Sequence, residues 1–264
     1  MIIDGRSIAA EIYLATKKRV ASLPRAPRLG IITCAPNAET KQYLELKKRK
    51  ANDVGISLIL LELEESASTT DVVISIKRLA KDVDGLVVQL PLPSHIDREV
   101  VLKAIPESQD PDGFHYPSSN SALPPVVGAI AEISLRHDIV WEGKKVVIFG
   151  HGKLVGRPAE EYAKSRGSEV SIVTKDTTDA RLFLQDADII IAGAGVPHGI
   201  AGDMVKLGVI IFDAGASEDG GVIVGDVSPE VAEKASIFTP VPGGVGPITV
   251  ALLLRNLVDI VEKK

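Results

Sequence analysis

Apolar positions along this chain follow two alternating rhythms. Mostly apolar stretches at 29–33, 56–63 and 86–90 read as strands of a sheet. Around them, residues 7–20, 39–54, 70–80 and 97–105 have the spacing and punctuation of helices. Ile8, Ile12 and Ala15 line one side of the first, and Thr70 stands as the cap of the third. The pattern lapses over 106–125, where Pro, Ser, Asp and Gly dominate, and resumes with a connecting helix at 126–137. A second series follows, with strands at 145–149, 170–173, 189–192, 209–212 and 237–238. A last amphipathic helix opens at Pro247, with Val250, Leu253, Leu254, Leu257 and Val261 on its apolar face. This alternation implies mostly parallel sheets covered by helices. The expected fold class is α/β, in two domains: 1–122, and a Rossmann-like 123–246, with the terminal helix 247–264 returning to the first.

The second domain carries a dinucleotide signature. Directly after the strand at 145–149 comes Gly150-His-Gly152-Lys153-Leu154-Val-Gly156, and a helical stretch follows. This G-x-G-x-x-x-G run is one residue longer than the usual fingerprint. Gly150 makes the tight turn, Gly152 lets a pyrophosphate approach the backbone, and Gly156 allows close helix packing. The next strand ends in Thr174-Lys175, where an NAD site normally has an acid for the ribose hydroxyls. A hydroxyl and an ammonium suit a 2′-phosphate better than a diol, although both could equally be solvated loop residues. Gly193-Ala-Gly195 and Asp213-Ala-Gly215 follow the next two strands. Ligands in open parallel sheets lie outside such carboxyl ends.

The run from Pro240 to Pro247 is six parts glycine or proline in eight, between two apolar segments. Such a loop is stiff and free of obstructing side chains. Pro242, Gly243 and Gly244 are therefore candidates to border a ligand, with the free N–H groups of the following helix turned toward it.

Composition narrows the partners. Aromatic residues are 4% against 45% hydrophobic, so the core is aliphatic. A formal charge of −5 supplies no broad basic field, and nucleic acid is not an expected partner. Cys34 is the only cysteine, and the five histidines lack metal-ligand spacing, so neither a disulfide nor a metal is expected. No apolar run approaches the roughly 18 residues of a membrane span. Asp4, Arg6 and Glu11 are unlike a secretory leader, and a cytoplasmic location is expected.

The first domain holds the candidate chemistry. Tyr43 and Lys47 are one helical turn apart and share a face, although Lys47 also belongs to the charged set Lys47-Lys48-Arg49-Lys50. Gln89 is the polar residue at the carboxyl end of an apolar strand, before Leu90-Pro-Leu-Pro93, placed either to cap that strand or to bind a ligand. Asp112-Gly113 reads locally as a turn.

Three motifs carry a family resemblance: Thr239-Pro-Val-Pro-Gly-Gly-Val-Gly-Pro-Ile-Thr249, Asp84-Gly-Leu-Val-Val-Gln-Leu-Pro-Leu-Pro93 and Asp110-Pro-Asp-Gly-Phe114. With Thr40-x-x-Tyr43-x-x-x-Lys47, Leu154-Val-Gly-Arg-Pro158 and Gly225-Asp-Val227, the chain resembles the bifunctional methylenetetrahydrofolate dehydrogenase/methenyltetrahydrofolate cyclohydrolase family over nearly its whole length. The resemblance implies oxidation of a methylene-tetrahydrofolate with NADP (or NAD), hydrolysis of the methenyl product to formyl-tetrahydrofolate, a cleft between the two domains, and a homodimer. It implies that Lys47 is the catalytic group, Gln89 its support, Tyr43 a stacking surface for the folate, and Asp112 the anchor of the pterin. The expected cofactor set is Gly150, Gly152, Lys153, Leu154, Gly156, Thr174, Lys175, Gly193, Gly195, Gly215 and Thr249. The chain departs from the family's pattern at Gln109, Pro111 and Pro124-Pro-Val-Val127. It also has His151-Gly152 in place of an Arg-Ser whose arginine commonly meets the 2′-phosphate. Rival readings are another two-domain dehydrogenase, of amino-acid or shikimate type, and a catalytically silent nucleotide-binding relative. The first gives Tyr43 and Gln89 no role, and the second gives no reason for Lys47 and Gln89 to coexist.

Overall fold

The computed structural model describes residues 1–118 and 121–264. They form two compact units, one of residues 10–124 and 250–264, the other of residues 1–9 and 125–249. Both are α/β.

In the first unit the order is α1 (Gly5–Ser22, from residue 10 onward), β1 (Arg28–Cys34), α2 (Ala38–Asp53), β2 (Ser57–Leu63), α3 (Thr69–Leu79), β3 (Gly85–Val88) and α4 (Arg98–Lys103). The three strands form a parallel sheet in the order β2-β1-β3, with Leu29 opposite both Leu58 and Gly85. Side chains of β1 alternate between faces, as the two-residue period requires. Leu29 and Ile31 pack with Leu44 and Ala51 of α2 and with Leu253, Leu254 and Leu257 of the terminal helix. Ile32 and Cys34 pack with Val72 and Ile76 of α3 and Val101 of α4. The central strand is thus buried on both sides, which is why it reads as a continuous apolar run. Strand β2 lies at the edge, and its Ile59 and Leu60 remain exposed.

Two helix starts differ from the expectation. α3 is capped by Ser68 rather than Thr70: Ser68 Oγ accepts from Asp71 N–H, and the Asp71 carboxylate accepts from Ser68 N–H. The terminal helix begins at Val245, two residues before Pro247.

The second unit contains α5 (Pro125–Arg136), β4 (Lys145–Phe149), α6 (Gly156–Ser165), β5 (Glu169–Val173), α7 (Ala180–Asp186), β6 (Ile189–Ala192), β7 (Ile210–Asp213), β8 (Ser217–Asp219), β9 (Val222–Val224), β10 (Ile237–Phe238) and the start of α8 (Val245–Glu262). Its parallel sheet has the order β10-β7-β6-β4-β5. The chain therefore goes one way from β4 to β5 and returns to the other side of β4 for β6. That reversal opens a crevice at the carboxyl end of β4, where doubly wound sheets hold ligands. β8 and β9 form a small antiparallel hairpin that the apolar pattern does not announce. Residues 1–9, expected in the first domain, group with this unit because Ile2 bridges Phe238 in parallel and Ile3 N–H donates to Phe238 O at 2.9 Å.

Candidate active site

On α2 the inward stripe is Thr40, Leu44, Lys47 and Ala51, so a lysine occupies a position that helical periodicity assigns to the core. Lys47 is only 5% exposed. Its Nζ donates to Gln89 Oε1 at 2.9 Å, a neutral acceptor, and lies 4.6 Å from the centroid of the Tyr43 ring. Gln89 N–H donates to Ile32 O at 2.8 Å, extending the β1–β3 ladder one residue beyond β3. Its side-chain Nε2 donates to Leu90 O at 2.7 Å. With the amide nitrogen committed there, the amide oxygen is the atom turned to Lys47. Of the two readings left open for Gln89, its side chain does not simply cap a strand: it bonds the buried ammonium. Tyr43 is 37% exposed, leaving ring surface outside the cluster.

Asp112 joins this cluster electrostatically. Desolvation raises its carboxyl above the usual range, and the Lys47 charge pulls the other way. The turn that carries it is pinned at several points. Gln109 Nε2 donates to Ala80 O and Val83 O, at 2.9 and 2.7 Å. Asp110, fully buried, accepts from His115 N–H at 3.0 Å through Oδ2, while its Oδ1 has no hydrogen-bond partner among the described residues. Burial pushes the Asp110 carboxyl up to about 6. Asn256 of α8 donates to Pro111 O at 2.9 Å and Leu123 O at 3.0 Å, tying both ends of the segment to one side chain.

In the second unit the glycine-rich turn sits at the crevice after β4. Gly150 has φ +93° and packs so closely on Ala194 that a Cβ would lie 2.5 Å from its Cα. A Cβ on Gly156 would lie 2.0 Å from Gly150 O. Gly152 differs from both: nothing stands within 4 Å of where its Cβ would be. The open space is therefore at Gly152, ahead of the N-terminus of α6, which suits a diphosphate. Lys153 and Leu154 extend the same turn, and Leu154 is exposed.

The later glycines have neighbours within the protein. A Cβ on Gly193 would meet Val155 at 2.5 Å, and one on Gly215 would lie 2.3 Å from the Asp226 carboxyl carbon. Buried Asp226 accepts from the N–H groups of Ala194, Gly195 and Val196, at 2.6, 3.1 and 2.8 Å. Buried Asp213 accepts from Gly215, Asp226 and Val227, at 3.0, 3.2 and 3.0 Å, and burial pushes its carboxyl up to about 6. At the end of β5, Thr174 Oγ1 accepts from Asp176 N–H at 3.3 Å, and Lys175 is exposed. In the proline–glycine loop, Gly243 O accepts from Gly5 N–H at 2.9 Å and Gly244 N–H donates to Pro240 O at 2.7 Å. Pro242 follows a cis peptide bond. Thr249 Oγ1 donates back to Gly246 O at 2.7 Å.

Comparison with known proteins matches both halves of the chain to one family. Residues 3–112 match the tetrahydrofolate dehydrogenase/cyclohydrolase catalytic domain, and residues 124–264 match the NAD(P)-binding domain of the same family. The chain belongs to the tetrahydrofolate dehydrogenase/cyclohydrolase family. Among curated relatives, the bifunctional protein FolD of Mycoplasmopsis synoviae is 37% identical, over 98% of this chain and 99% of its own. The bifunctional methylenetetrahydrofolate dehydrogenase/cyclohydrolase structure from Campylobacter jejuni superposes with a TM-score of 0.95 at 34% identity, covering 100% of this chain and 99% of that one. A Trypanosoma brucei methylenetetrahydrofolate dehydrogenase-cyclohydrolase, solved with NADP and an inhibitor, gives 0.92 at 30%, covering 100% and 97%.

In this member of the tetrahydrofolate dehydrogenase/cyclohydrolase family, several residues that shape the two sites carry no local signal of their own. Asn256 looks like one polar interruption of an apolar helix, and its two acceptors are more than a hundred residues away. Asp213 reads as part of a glycine cluster. Asp226 stands in the Gly225-Asp-Val227 motif, but only the fold shows that its carboxylate fills the space beside Gly215.

Proposed function

We propose that this protein oxidises 5,10-methylenetetrahydrofolate to the methenyl form with NADP and hydrolyses that product to 10-formyltetrahydrofolate. The observation that carries the reading is the buried Lys47–Gln89 hydrogen bond with the Tyr43 ring beside it. A lysine in an apolar stripe, held by a fixed amide, is ill-suited to solvation or to packing and well suited to one chemical task. Hydrolysis of a methenyl bridge needs a group that assists attack by water and passes a proton. Lys47 Nζ does this, Gln89 fixes where it points, the exposed surface of Tyr43 takes the face of the pterin, and Asp112 hydrogen-bonds its far edge. The oxidation needs alignment above all. NADP, when bound, accepts the hydride from the methylene carbon.

Gly152 leaves room for the diphosphate, Gly150 and Gly156 shape the turn around it, and the loops of Gly193, Gly195 and Gly215 border the nicotinamide half. Lys153, Leu154 and Thr249 stand on the loop and helix start beside it. Preference for NADP is supported by Thr174-Lys175 at the end of β5 and by the cofactor of the Trypanosoma brucei relative. We take residues 1–122 with the terminal helix 247–264 as the folate-binding domain and 123–246 as the cofactor domain, a reading supported by the two compact units, in which residues 1–9 group with the second. A cytoplasmic homodimer completes the reading. It is supported by a single free thiol and by apolar Val222 and Ile223 exposed on the β8–β9 hairpin; no helix among the described residues is long and apolar enough to cross a membrane. Sedimentation as a 28.0 kDa monomer at micromolar concentration counts against the dimer.

The test is spectrophotometric. Purified protein supplied with the methylene substrate should reduce NADP and accumulate the formyl product. A higher kcat/KM with NAD removes the cofactor assignment, and no reduction of either cofactor removes the reading as a whole.

A further inference from the structure

Asn256 interrupts the apolar face of α8 and has no part in the roles assigned above. It is buried in a stretch whose Leu252, Leu253, Leu254, Leu257 and Val258 are buried too. Asparagine suits such a place poorly: it weakens a helix interior relative to leucine, and its amide is costly to bury unless it is hydrogen-bonded. Here Nδ2 donates to Pro111 O at 2.9 Å and to Leu123 O at 3.0 Å. The first of these acceptors belongs to the residue before Asp112. Its carbonyl shares a rigid peptide plane with the Asp112 nitrogen, and the proline ring fixes φ on the other side of that plane. The ring itself is seated: a Cβ on Gly85 of β3 would lie 3.3 Å from Pro111 Cδ and Cγ, and 2.6 Å from Leu257 Cδ1. On the other side of Asp112, Gly113 has φ +69°, and a Cβ there would lie 2.6 Å from Ala122 O and 2.8 Å from Pro124 N. Residues 111–113 and 122–124 therefore lie against each other, and Asn256 bonds a carbonyl from each. We propose that Asn256 is a positioning residue for the folate: by holding the Pro111–Asp112 peptide it sets the direction of the Asp112 carboxylate, and through it the binding of the pterin in both reactions. The inference rests on the proposed role of Asp112 and names what aims it.

Direction matters for this contact. A carboxylate that meets N–H donors on a ring edge binds them in fixed geometry, and tilting it weakens each hydrogen bond steeply. Leucine at position 256 would raise helix propensity and add apolar surface, but it would leave two carbonyls without this donor. The hydrolytic group is placed by other contacts: Lys47 Nζ donates to Gln89 Oε1, and Gln89 N–H to Ile32 O. Loss of the Asn256 amide should therefore weaken the hold on the folate and leave the proton-transfer step as it is.

The test is a double-mutant cycle in the whole chain. Asn256→Leu, Asp112→Ala and the double variant are compared with the natural protein, and Asn256→Ser replaces Asn256→Leu should leucine prevent folding. KM and kcat are measured for methylene oxidation and for methenyl hydrolysis, with the KM for NADP and the melting temperature beside them. Asn256→Leu should raise the KM of both folate substrates about 10- to 100-fold, the usual effect of one hydrogen bond to a charged group. The kcat of methenyl hydrolysis and the KM for NADP should stay within about 2-fold of their natural values. In the Asp112→Ala background the same change should raise the folate KM by less than about 2-fold, because no carboxylate is left to aim. An asparagine that only braces the fold would lower the melting temperature without this dependence on Asp112. Equal rises in both backgrounds, a rise for NADP as large as for folate, or an unaltered folate KM in a folded Asn256 variant overturns the inference and leaves Asp112 in its role. An unaltered folate KM in Asp112→Ala removes the pterin anchor, and the inference with it.

Discussion

The lysine cluster of the first unit and the glycine loops of the second are the two proposed functional regions, and they are built in opposite ways. Around Lys47 the chemistry is in side chains: an ammonium, an amide, a ring and a carboxyl brought together by one helix face, one strand end and one turn. Around Gly150 it is in the backbone, and the side chains that matter most, Asp213 and Asp226, serve to hold loops. In the first region a substitution should change rate without unfolding the protein. In the second, most substitutions should change stability, and only where space is left over should they change binding.

The largest effect expected from breaking this contrast is at Gly225, whose Cβ would fall 2.0 Å from Asp213 Oδ2. Gly225→Ala must displace a buried carboxylate that holds three N–H groups, and should cost more than about 4 kcal/mol. Chemical denaturation should find the variant largely unfolded. Asp226→Asn comes next. It keeps the shape but turns one accepting oxygen into a donor facing a backbone N–H, and should cost roughly 2–4 kcal/mol. A melting curve within a degree or so of the natural protein's would show that the loop after β6 does not depend on this carboxylate.

Gly152→Ala sharpens the contrast from the other side. With nothing within 4 Å of the new methyl, stability should be unchanged. The KM for NADP should nevertheless rise about 10-fold or more, because the methyl fills space the diphosphate needs. An unaltered KM would mean that the diphosphate lies elsewhere.

The smallest effect concerns pH. Asp110 has its carboxyl raised from an ordinary 3.8 to about 6, chiefly by burial. The folded state therefore binds a proton more readily than the unfolded chain. The stability this group contributes is complete below the ordinary value and is lost as pH rises through the folded one. Asp110→Asn retains an acceptor for His115 N–H and removes the charge. It should stabilise the protein by roughly 1–3 kcal/mol above neutrality and by little in acid. Urea titrations at the two extremes decide this, and equal changes at both would refute it.

The contrast also explains what could be read from the sequence. Every strand of both parallel sheets is legible as a mostly apolar run, the buried ones because parallel strands are covered on both faces and the exposed edge strand β2 by its composition alone. Gln89 was legible as a polar residue ending such a run, and Tyr43 and Lys47 as a pair on one helix face. Spacing could not place Lys47 inward, since the same four-residue charge set fits a solvated face. Its buried Nζ is bonded by Gln89, forty-two positions away. The hairpin at 217–224 leaves no apolar pattern, because its strands are three residues each and mostly exposed. Gly215 reads as a ligand glycine, although its smallness is also required by Asp226; glycine reports that space is needed and not what fills it.

The account's central claim is that Lys47, held by Gln89, carries the hydrolytic step. Lys47→Met keeps the length of the side chain and removes the nitrogen. The decay of added methenyl-tetrahydrofolate should slow by about 10²–10⁴-fold, the usual worth of a positioned acid–base group. Supplied instead with the methylene substrate and NADP, the variant should release methenyl product into solution. Hydrolysis of the methenyl substrate at the natural rate by Lys47→Met would contradict the claim.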